Sequence, residues 1–282
     1  MQLAADHFVI NARDRMDEAV DAFRRLGFFL TERGHHTLGS INHLLIFPSD
    51  YVELIGFEPG EKNVRTDILR FPIGLNAVVF RTDDPVALHR ELLARQFPAQ
   101  EPVAFSRPVT VDGVEKEASF RSVRLAPGTV PSGRVYFCQH LTPELVWRPE
   151  WQDHPNGACG VSRVVIVAPE PEDRAGLFVR LFGADAVSGP ANHKRVAAPG
   201  VAVEIVRQEA VQKAFGTAAP DGGGRDDYMA VLELVTVSLD RAERALSKNG
   251  VRSLRQDGGL VVPASEAFNV ALRFIERANA GK

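Results

Sequence analysis

The sequence predicts an α+β fold in which four copies of one structural unit are paired into two halves. Three observations support this prediction: a repeated strand–helix pattern, strand-like runs after each helix, and an apolar content of 45% over 282 residues. A chain of this length and composition buries a substantial hydrophobic core and has room for two ordinary domains.

The repeat is clearest between DHFVINARDRMDEAVDAFRRLGFFLTE and SRVVIVAPEPEDRAGLFVRLFGADAVS. Each segment starts as a short apolar strand, turns through polar residues and continues as an amphipathic helix that ends at a glycine. The strand residue and the glycine are 20 positions apart in both segments, from His7 to Gly27 and from Arg163 to Gly183. The equal spacing indicates one unit used twice.

Strand-like runs complete each unit. HTLGSINHLLIF and DYVELIGF follow the first helix and flank the turn cluster Pro48-Ser49-Asp50, and GVAVEIVRQ is the counterpart after the later helix. Two weaker copies of the unit open with a strand and a helix over 74–97 and 228–251. The four units therefore predict an N-terminal domain over 1–141, a connector rich in proline and aromatic residues over 142–157, and a C-terminal domain over 158–282.

Charge and cysteine content limit the partners and the compartment. The net charge of −3 and the isoelectric point near 6.3 give no broad basic face, so we expect neither nucleic acid nor a membrane as partner. We expect a small molecule as ligand, and the sequence leaves a homodimer open. Two cysteines are too few for a disulfide framework. Without a recognisable signal peptide or long apolar span, a cytoplasmic location is expected.

Strand alternation predicts where polar side chains meet. His7 shares one face of its strand with Val9, opposite the helix, and the alternation in YVELI leaves Glu53 on the same concave face. An imidazole and a carboxylate from separate strands suit a divalent ion such as iron, manganese, nickel or zinc. Two ligands hold an ion weakly, so a third is expected from the second unit, where His140 has plausible reach. The alternative is a hydrogen-bonded structural histidine and a solvated glutamate.

Four further polar residues are candidates for binding a substrate. The second unit offers Asn76 at the position that matches His7, and Gln139 on its last strand. A three-residue turn at 48–50 places His43 on the face of the predicted carboxylate ligand, whereas a two-residue turn places Asn42 there. The sequence leaves both registers open, and each of the four residues also suits an ordinary polar position in a strand.

These segments resemble a known superfamily. A histidine in DHFVI and a glutamate in VELI, on the first and last strands of a unit, are similar to the vicinal oxygen chelate superfamily, which includes glyoxalase I, extradiol dioxygenases and bleomycin-resistance proteins. More narrowly, GHHTLGSINHLLIFPSDYVELIG and VYFCQHLTPELVWRP resemble glyoxalase-like domain proteins. The resemblance implies four βαβββ modules paired into two half-barrel domains, with a cup around a divalent ion that chelates two adjacent substrate oxygens.

The resemblance also implies ligands. His7 and Glu53 match the two ligands of the first module, whereas amides, Asn76 and Gln139, stand where the second module's histidine and glutamate are expected. In the C-terminal half Arg163 replaces the ligand histidine. That half is therefore expected to be structural or a dimerisation surface, and a ring-cleaving dioxygenase is disfavoured.

The sequence thus predicts a metal-dependent enzyme of lyase or isomerase type that acts on a small oxygenated metabolite. The competing prediction is a metal-free protein that binds or sequesters a small molecule, as bleomycin-resistance proteins do. A third is an interaction protein that shares only the fold.

Overall fold

The computed structural model describes residues 3–62 and 64–277, which form two eight-stranded mixed sheets and six α-helices. The strands of the first sheet are β1 (Ala4–Arg13), β2 (Gly34–His35), β3 (Ile41–Ile46), β4 (Tyr51–Gly56), β5 (Gly74–Arg81), β6 (Val103–Val111), β7 (Val114–Arg124) and β8 (Arg134–His140). Those of the second sheet are β9 (Ala158–Val167), β10 (Val187–Ser188), β11 (His193–Ala198), β12 (Val201–Val206), β13 (Tyr228–Thr236), β14 (Leu254–Gln256), β15 (Gly259–Val262) and β16 (Ala271–Glu276). The helices are α1 (Met16–Arg25), α2 (Thr66–Leu69), α3 (Pro85–Ala94), α4 (Pro171–Phe182), α5 (Gln208–Phe215) and α6 (Leu239–Lys248).

Both sheets have the same strand order. The first runs β2-β3-β4-β1-β5-β8-β7-β6, and the second runs β10-β11-β12-β9-β13-β16-β15-β14. In the first sheet β1 pairs in parallel with β4 and antiparallel with β5, and the equivalent strands of the second sheet pair in the same way. The predicted α+β fold of two half-barrel domains is confirmed. The exact domain limits stay a prediction.

The first sheet curls until its two ends touch. The backbone N–H of Thr37, next to β2, donates to the carbonyl of Ser106 on β6 at 2.9 Å, and the N–H of Ser106 donates to Thr37 Oγ1 at 3.2 Å. At the β14 edge of the second sheet the neighbour is a helix instead: Gln256 of β14 donates through Nε2 to the carbonyl of Ala214 in α5. The concave face of the first sheet is therefore an almost enclosed interior, which we call the N-terminal cup.

The convex faces of the two sheets share one hydrophobic core. Phe8 of β1 and Phe80 of β5 are fully buried in it. The ring of Phe80 packs on Phe182 of α4 with centroids 5.1 Å apart, and Phe28 stacks on Phe274 of β16 at 6.2 Å. Burial of aromatic side chains contributes much of the stability of such an interface. The two halves therefore form one packed unit. No described helix has the length and apolar character needed to cross a membrane.

Polar contacts of the connector add to this interface. The ring of His154 accepts from the N–H of Phe29 through Nδ1 and donates to the carbonyl of Ile46 through Nε2, at 3.1 and 2.9 Å. Burial lowers the pKa of His154, which favours this neutral form. Asp50 also links the halves, because its Oδ1 accepts from the N–H of Val161 at 3.1 Å.

The Asp50 carboxyl makes the stability of this junction depend on pH. Burial raises its pKa from 3.8 to about 6, against hydrogen bonds from Ser49 and Val161 that lower it. The folded state thus binds the proton more tightly than the unfolded state, so the contribution of Asp50 is fully present below about pH 4 and is lost as pH rises through about 6. Asp50→Asn resembles the protonated group at every pH. The free energy of unfolding of this variant should therefore rise by about 3 kcal/mol relative to that of wild type as the pH increases from 4 to 8.

Urea unfolding at pH 4, 6 and 8 measures this difference, with Asp21→Asn at an exposed position of α1 as the control. A difference between wild type and Asp50→Asn that does not change with pH would contradict the assignment.

Candidate functional site

An irregularity in β1 places two functional groups side by side. The pairing of β1 with β5 shifts between Ala5 and His7, so Asp6 is an extra residue in the ladder and its side chain lies on the concave face next to His7. Asp6 Oδ2 accepts from His7 Nδ1 at 2.6 Å and from His140 Nε2 at 2.9 Å, and Oδ1 accepts from Arg81 Nε at 3.0 Å. Burial opposes its charge, but His140 and His7 hold the pKa of Asp6 well below its ordinary value.

His7 therefore has one ring nitrogen fixed and one that faces the cup. Nδ1 donates to Asp6, and the hydroxyl of Tyr136 lies 3.1 Å from Nε2. The same Nε2 is 3.9 Å from Glu53 Oε2. The ring stacks on Tyr51 with centroids 4.5 Å apart, and only 3% of the residue is exposed. His7 and Glu53 meet in the cup as the alternation indicates.

Glu53 is held by an amide and lies near a second imidazole. Asn42 Nδ2 donates to Glu53 Oε1 at 2.7 Å, and His36 Nε2 is 3.9 Å from the same oxygen. Burial would raise the pKa of Glu53, but His36, His7 and the Asn42 hydrogen bond keep it below its ordinary value. Burial, together with nearby arginines, lowers the pKa of His36 to about 4 against the opposing effect of Glu53. At neutral pH His36 is neutral.

The β3–β4 turn decides which of Asn42 and His43 faces the cup. The N–H of Phe47 donates to the carbonyl of Asp50, which leaves a two-residue turn and pairs Leu44 with Glu53. Asn42 consequently faces inward. His43 lies on the other face, where its Nδ1 contacts the carbonyl of Thr31 at 2.8 Å.

The three candidates from the second unit lie apart from Glu53. His140 is on the concave face, but its Nε2 bonds Asp6 and its ring packs on Trp147 at 4.7 Å. Gln139, its neighbour in β8, points to the opposite face and donates to the carbonyl of Asp83. Asn76 Oδ1 accepts from Arg134 Nη2 at 3.0 Å, and its buried Nδ2 has no partner within the described part of the chain.

Several lining residues lie outside the set that the sequence predicted. The cup has a free volume of about 30 Å³. Its polar lining is made by His7, His36, Asn42, Tyr51, Glu53, Arg65, Arg107, Arg124 and Tyr136. Tyr136 could be found from the sequence, because it has the same parity in β8 as His140. The three arginines come from a loop and from β6 and β7, and no local pattern relates them to His7.

A larger cavity of about 550 Å³ adjoins the cup. Arg124 and Tyr136 line both spaces, so they form the wall between them. Asp67 lies at this wall and accepts from Arg65 Nη2 at 2.6 Å and from Arg134 Nη1 at 2.7 Å. The two spaces are thus neighbours that share these two side chains.

Two groups in the cup offer ligand atoms to a metal ion. His7 Nε2 and Glu53 Oε2 form the pair described above. Asp6, His7 and His140 form a second group, in which one ligand atom from each residue lies within 4.8 Å of the others. Both groups use His7, through opposite nitrogens of its ring.

The second sheet has an arginine in place of this histidine. Arg163 pairs with the residue two positions before Glu204, as His7 pairs with the residue two before Glu53. Its guanidinium donates to Glu204 Oε2 at 3.0 Å and to Glu233 Oε2, and Arg195 binds the other oxygen of Glu204. The carboxylates of this C-terminal cup are therefore neutralised by the protein itself.

The two curved sheets and the concave His7–Glu53 pair define a protein of the vicinal oxygen chelate class. The chain belongs to the glyoxalase-like domain family, whose model matches residues 5–182. No curated protein matches the chain significantly.

Solved structures show the same fold at low sequence identity. A hypothetical protein from Staphylococcus aureus superposes with a TM-score of 0.71 at 13% identity, covering 98% of this chain and 100% of the other. A mutant of 4-hydroxymandelate synthase from Streptomyces coelicolor gives 0.60 at 10% identity, covering 99% and 94%. A xylose isomerase-like TIM barrel/4-hydroxyphenylpyruvate dioxygenase fusion protein gives 0.57 at 14%, covering 99% of this chain and 50% of that one. These likenesses establish the fold alone.

Arg163 should be a stabilising residue of the C-terminal cup. Arg163→Met leaves Glu233, which is 7% exposed, without its closest cation, so we expect a loss of about 3 kcal/mol in the free energy of unfolding. Arg163→Met combined with Glu233→Met removes the uncompensated charge and should recover most of this loss. Urea unfolding measures both, and equal losses in the single and the double variant would contradict the role.

Proposed function

We propose that the protein is a metal-dependent enzyme of lyase or isomerase type that acts on a small oxygenated metabolite in the N-terminal cup. The observation that carries the proposal is the arrangement of His7, whose Nδ1 is held by Asp6 while Nε2 faces Glu53. A histidine that binds a metal typically donates its other N–H to a carboxylate, which fixes the ring and raises its basicity. Membership of the glyoxalase-like family supports the same assignment.

The cup pair fits a borderline divalent ion. Bonds of 2.0–2.2 Å allow two ligand atoms of one ion to lie up to about 4.4 Å apart, and His7 Nε2 and Glu53 Oε2 are 3.9 Å apart. The hydroxyl of Tyr136 lies beside this position, 3.1 Å from His7 Nε2. His140, the third ligand that the sequence predicted, is instead bonded to Asp6 and belongs to the alternative group. When bound, the ion would polarise a substrate carbonyl or enolate.

The other residues of the cup orient the substrate and move a proton. Asn42 fixes the Glu53 carboxylate, so that one oxygen stays directed toward His7. His36 is neutral at pH 7, because its pKa is about 4, and its Nε2 faces Asn42 as an acceptor. Burial raises the pKa of Tyr136, which keeps its hydroxyl protonated as a hydrogen-bond donor. Proton transfer by a positioned group of this kind typically accelerates a reaction about 10²–10⁴-fold.

A second candidate is a metal-free binding protein of the bleomycin-resistance type. The three arginines of the cup favour it, because a dication beside Arg65, Arg107 and Arg124 is repelled by their positive charge. In this version His7 and Asn42 hydrogen-bond the ligand directly.

Metal analysis of protein purified without added ions separates the two candidates. We expect about one ion per chain in wild type, and loss of the ion in His7→Ala and Glu53→Gln, because the ion then has one protein ligand less. His43→Gln is the matched control, since His43 is buried on the other face of the same sheet. His140→Gln should keep the ion.

Other outcomes contradict this assignment. Loss of the ion in His140→Gln together with retention in Glu53→Gln would move it to the group formed by Asp6, His7 and His140. Substoichiometric metal in wild type and in His7→Ala alike would contradict metal dependence and leave the binding protein.

A further inference from the structure

We infer that the ligand of the N-terminal cup carries a carboxylate, which Arg107 binds, while the rest of the ligand lies in the adjoining 550 Å³ cavity. The inference rests on the proposed function only in placing a small-molecule ligand in this cup. It holds with or without a bound ion.

Arg107 is a buried cation that has no carboxylate at ion-pair distance in the described residues. It lies on β6 with 3% of its surface exposed, and its Nη2 is buried with no hydrogen-bond partner in the described residues. In residues 3–62 and 64–277 no carboxylate oxygen lies within 4.0 Å of its guanidinium, since none of the ion pairs there includes Arg107. A buried guanidinium left unpaired costs several kcal/mol. A ligand anion would offset this cost.

The charges around Arg107 leave the cup positive. Arg65 is neutralised by Asp67, but Arg124 has no carboxylate within ion-pair distance in the described part of the chain. Glu53 is the one carboxylate in the lining of the cup. Burial lowers the pKa of both guanidinium groups, and its effect exceeds that of Glu53 on Arg107 and of Asp67 on Arg124, which act in the opposite direction. Two guanidinium groups against one carboxylate therefore favour an anionic ligand.

The sizes of the two spaces indicate how such a ligand lies. A free volume of about 30 Å³ in the cup accepts a group of a few atoms, so only the reacting end of the metabolite lies there. The adjoining cavity has room for the remainder, and Phe71, Leu125, Val130 and Val135 give it apolar walls. A planar carboxylate also matches the fork of a guanidinium with two parallel hydrogen bonds.

The C-terminal cup shows the contrasting arrangement. There Arg163 binds Glu204 and Glu233, so the protein supplies the anions itself. In the N-terminal cup the carboxylate Glu53 bonds Asn42 and leaves Arg107 unsatisfied. The missing anion is the group we assign to the ligand.

Calorimetric titration with hexanoate and hexanamide tests the inference, because the two probes have nearly the same shape and differ in charge. Wild type should bind hexanoate at least tenfold more tightly than hexanamide, both as purified and after treatment with a chelator. Arg107→Gln should abolish this preference, and Arg107→Lys, which keeps the charge but loses the fork, should retain part of it. Arg121→Gln, at an exposed position of the adjacent strand β7, is the matched control and should keep the full preference.

Urea unfolding of each variant shows whether a lost preference reflects lost structure, and the Arg107→Lys variant provides the test if Arg107→Gln fails to fold. Equal binding of the two probes by wild type, or an unchanged preference in Arg107→Gln, would overturn the inference. Binding of inorganic phosphate that depends on Arg107, without a hexanoate preference, would also overturn it in favour of a phosphate ligand. A preference that persists in protein shown to bind no metal would leave this inference standing while the metal assignment fails.

Discussion

The extra residue at Asp6 is the constraint on which the whole N-terminal site depends. Without the shift in the β1–β5 ladder, alternation would turn Asp6 to the convex face, where Phe8 and the helices form an apolar core. An unpaired carboxylate there would be costly to bury. The bulge instead lets Asp6 bind His7, Arg81 and His140, and these bonds join β1 to β5 and β8. One backbone irregularity thus fixes the ring of His7 and three strands of the sheet together.

The two cups are two solutions to the same problem of a buried carboxylate at the centre of a sheet. Glu204 and Glu233 are satisfied by arginines, an arrangement that stabilises the fold and leaves little for a ligand to do. Glu53 is satisfied by one amide, with the imidazoles of His7 and His36 beside it and the arginines of the cup beyond. This incomplete compensation reduces stability, and such sites are typically functional. The contrast supports the proposal that the chemistry of this protein lies in its N-terminal half.

The fold could be predicted because its signals are local. Apolar alternation, the spacing from strand to glycine and the turn cluster at 48–50 all lie within single segments. The placement of His7 and Glu53 followed from the same alternation. The choice between Asn42 and His43 did not, because it depends on one residue of turn length that sequence alone leaves open.

Other parts of the site depend on contacts between distant segments. A bulge cannot be seen in a hydrophobic pattern, so the sequence does not indicate that Asp6 shares a face with His7, which it precedes directly. Gln139 and His140 are adjacent in β8, so alternation allows only one of them to face inward. The same alternation places Tyr136 on the face of His140. Arg107 is a single charge in an edge strand, and only the curvature of the sheet brings it to Glu53.

The closure of the first sheet is what completes the cup. Hydrogen bonds between Thr37 and Ser106 join the first and last strands, and they bring Arg107 of β6 against β2 and β3. The crossing is possible because residue 34 is glycine: a Cβ there would lie 2.8 Å from Arg107 Cδ and would collide with Asn42 Oδ1. A larger residue would push away both the guanidinium and the amide that holds Glu53. Gly34 is therefore as much a part of the site as the side chains it admits, because its missing Cβ leaves the space in which the Asn42 and Arg107 side chains lie.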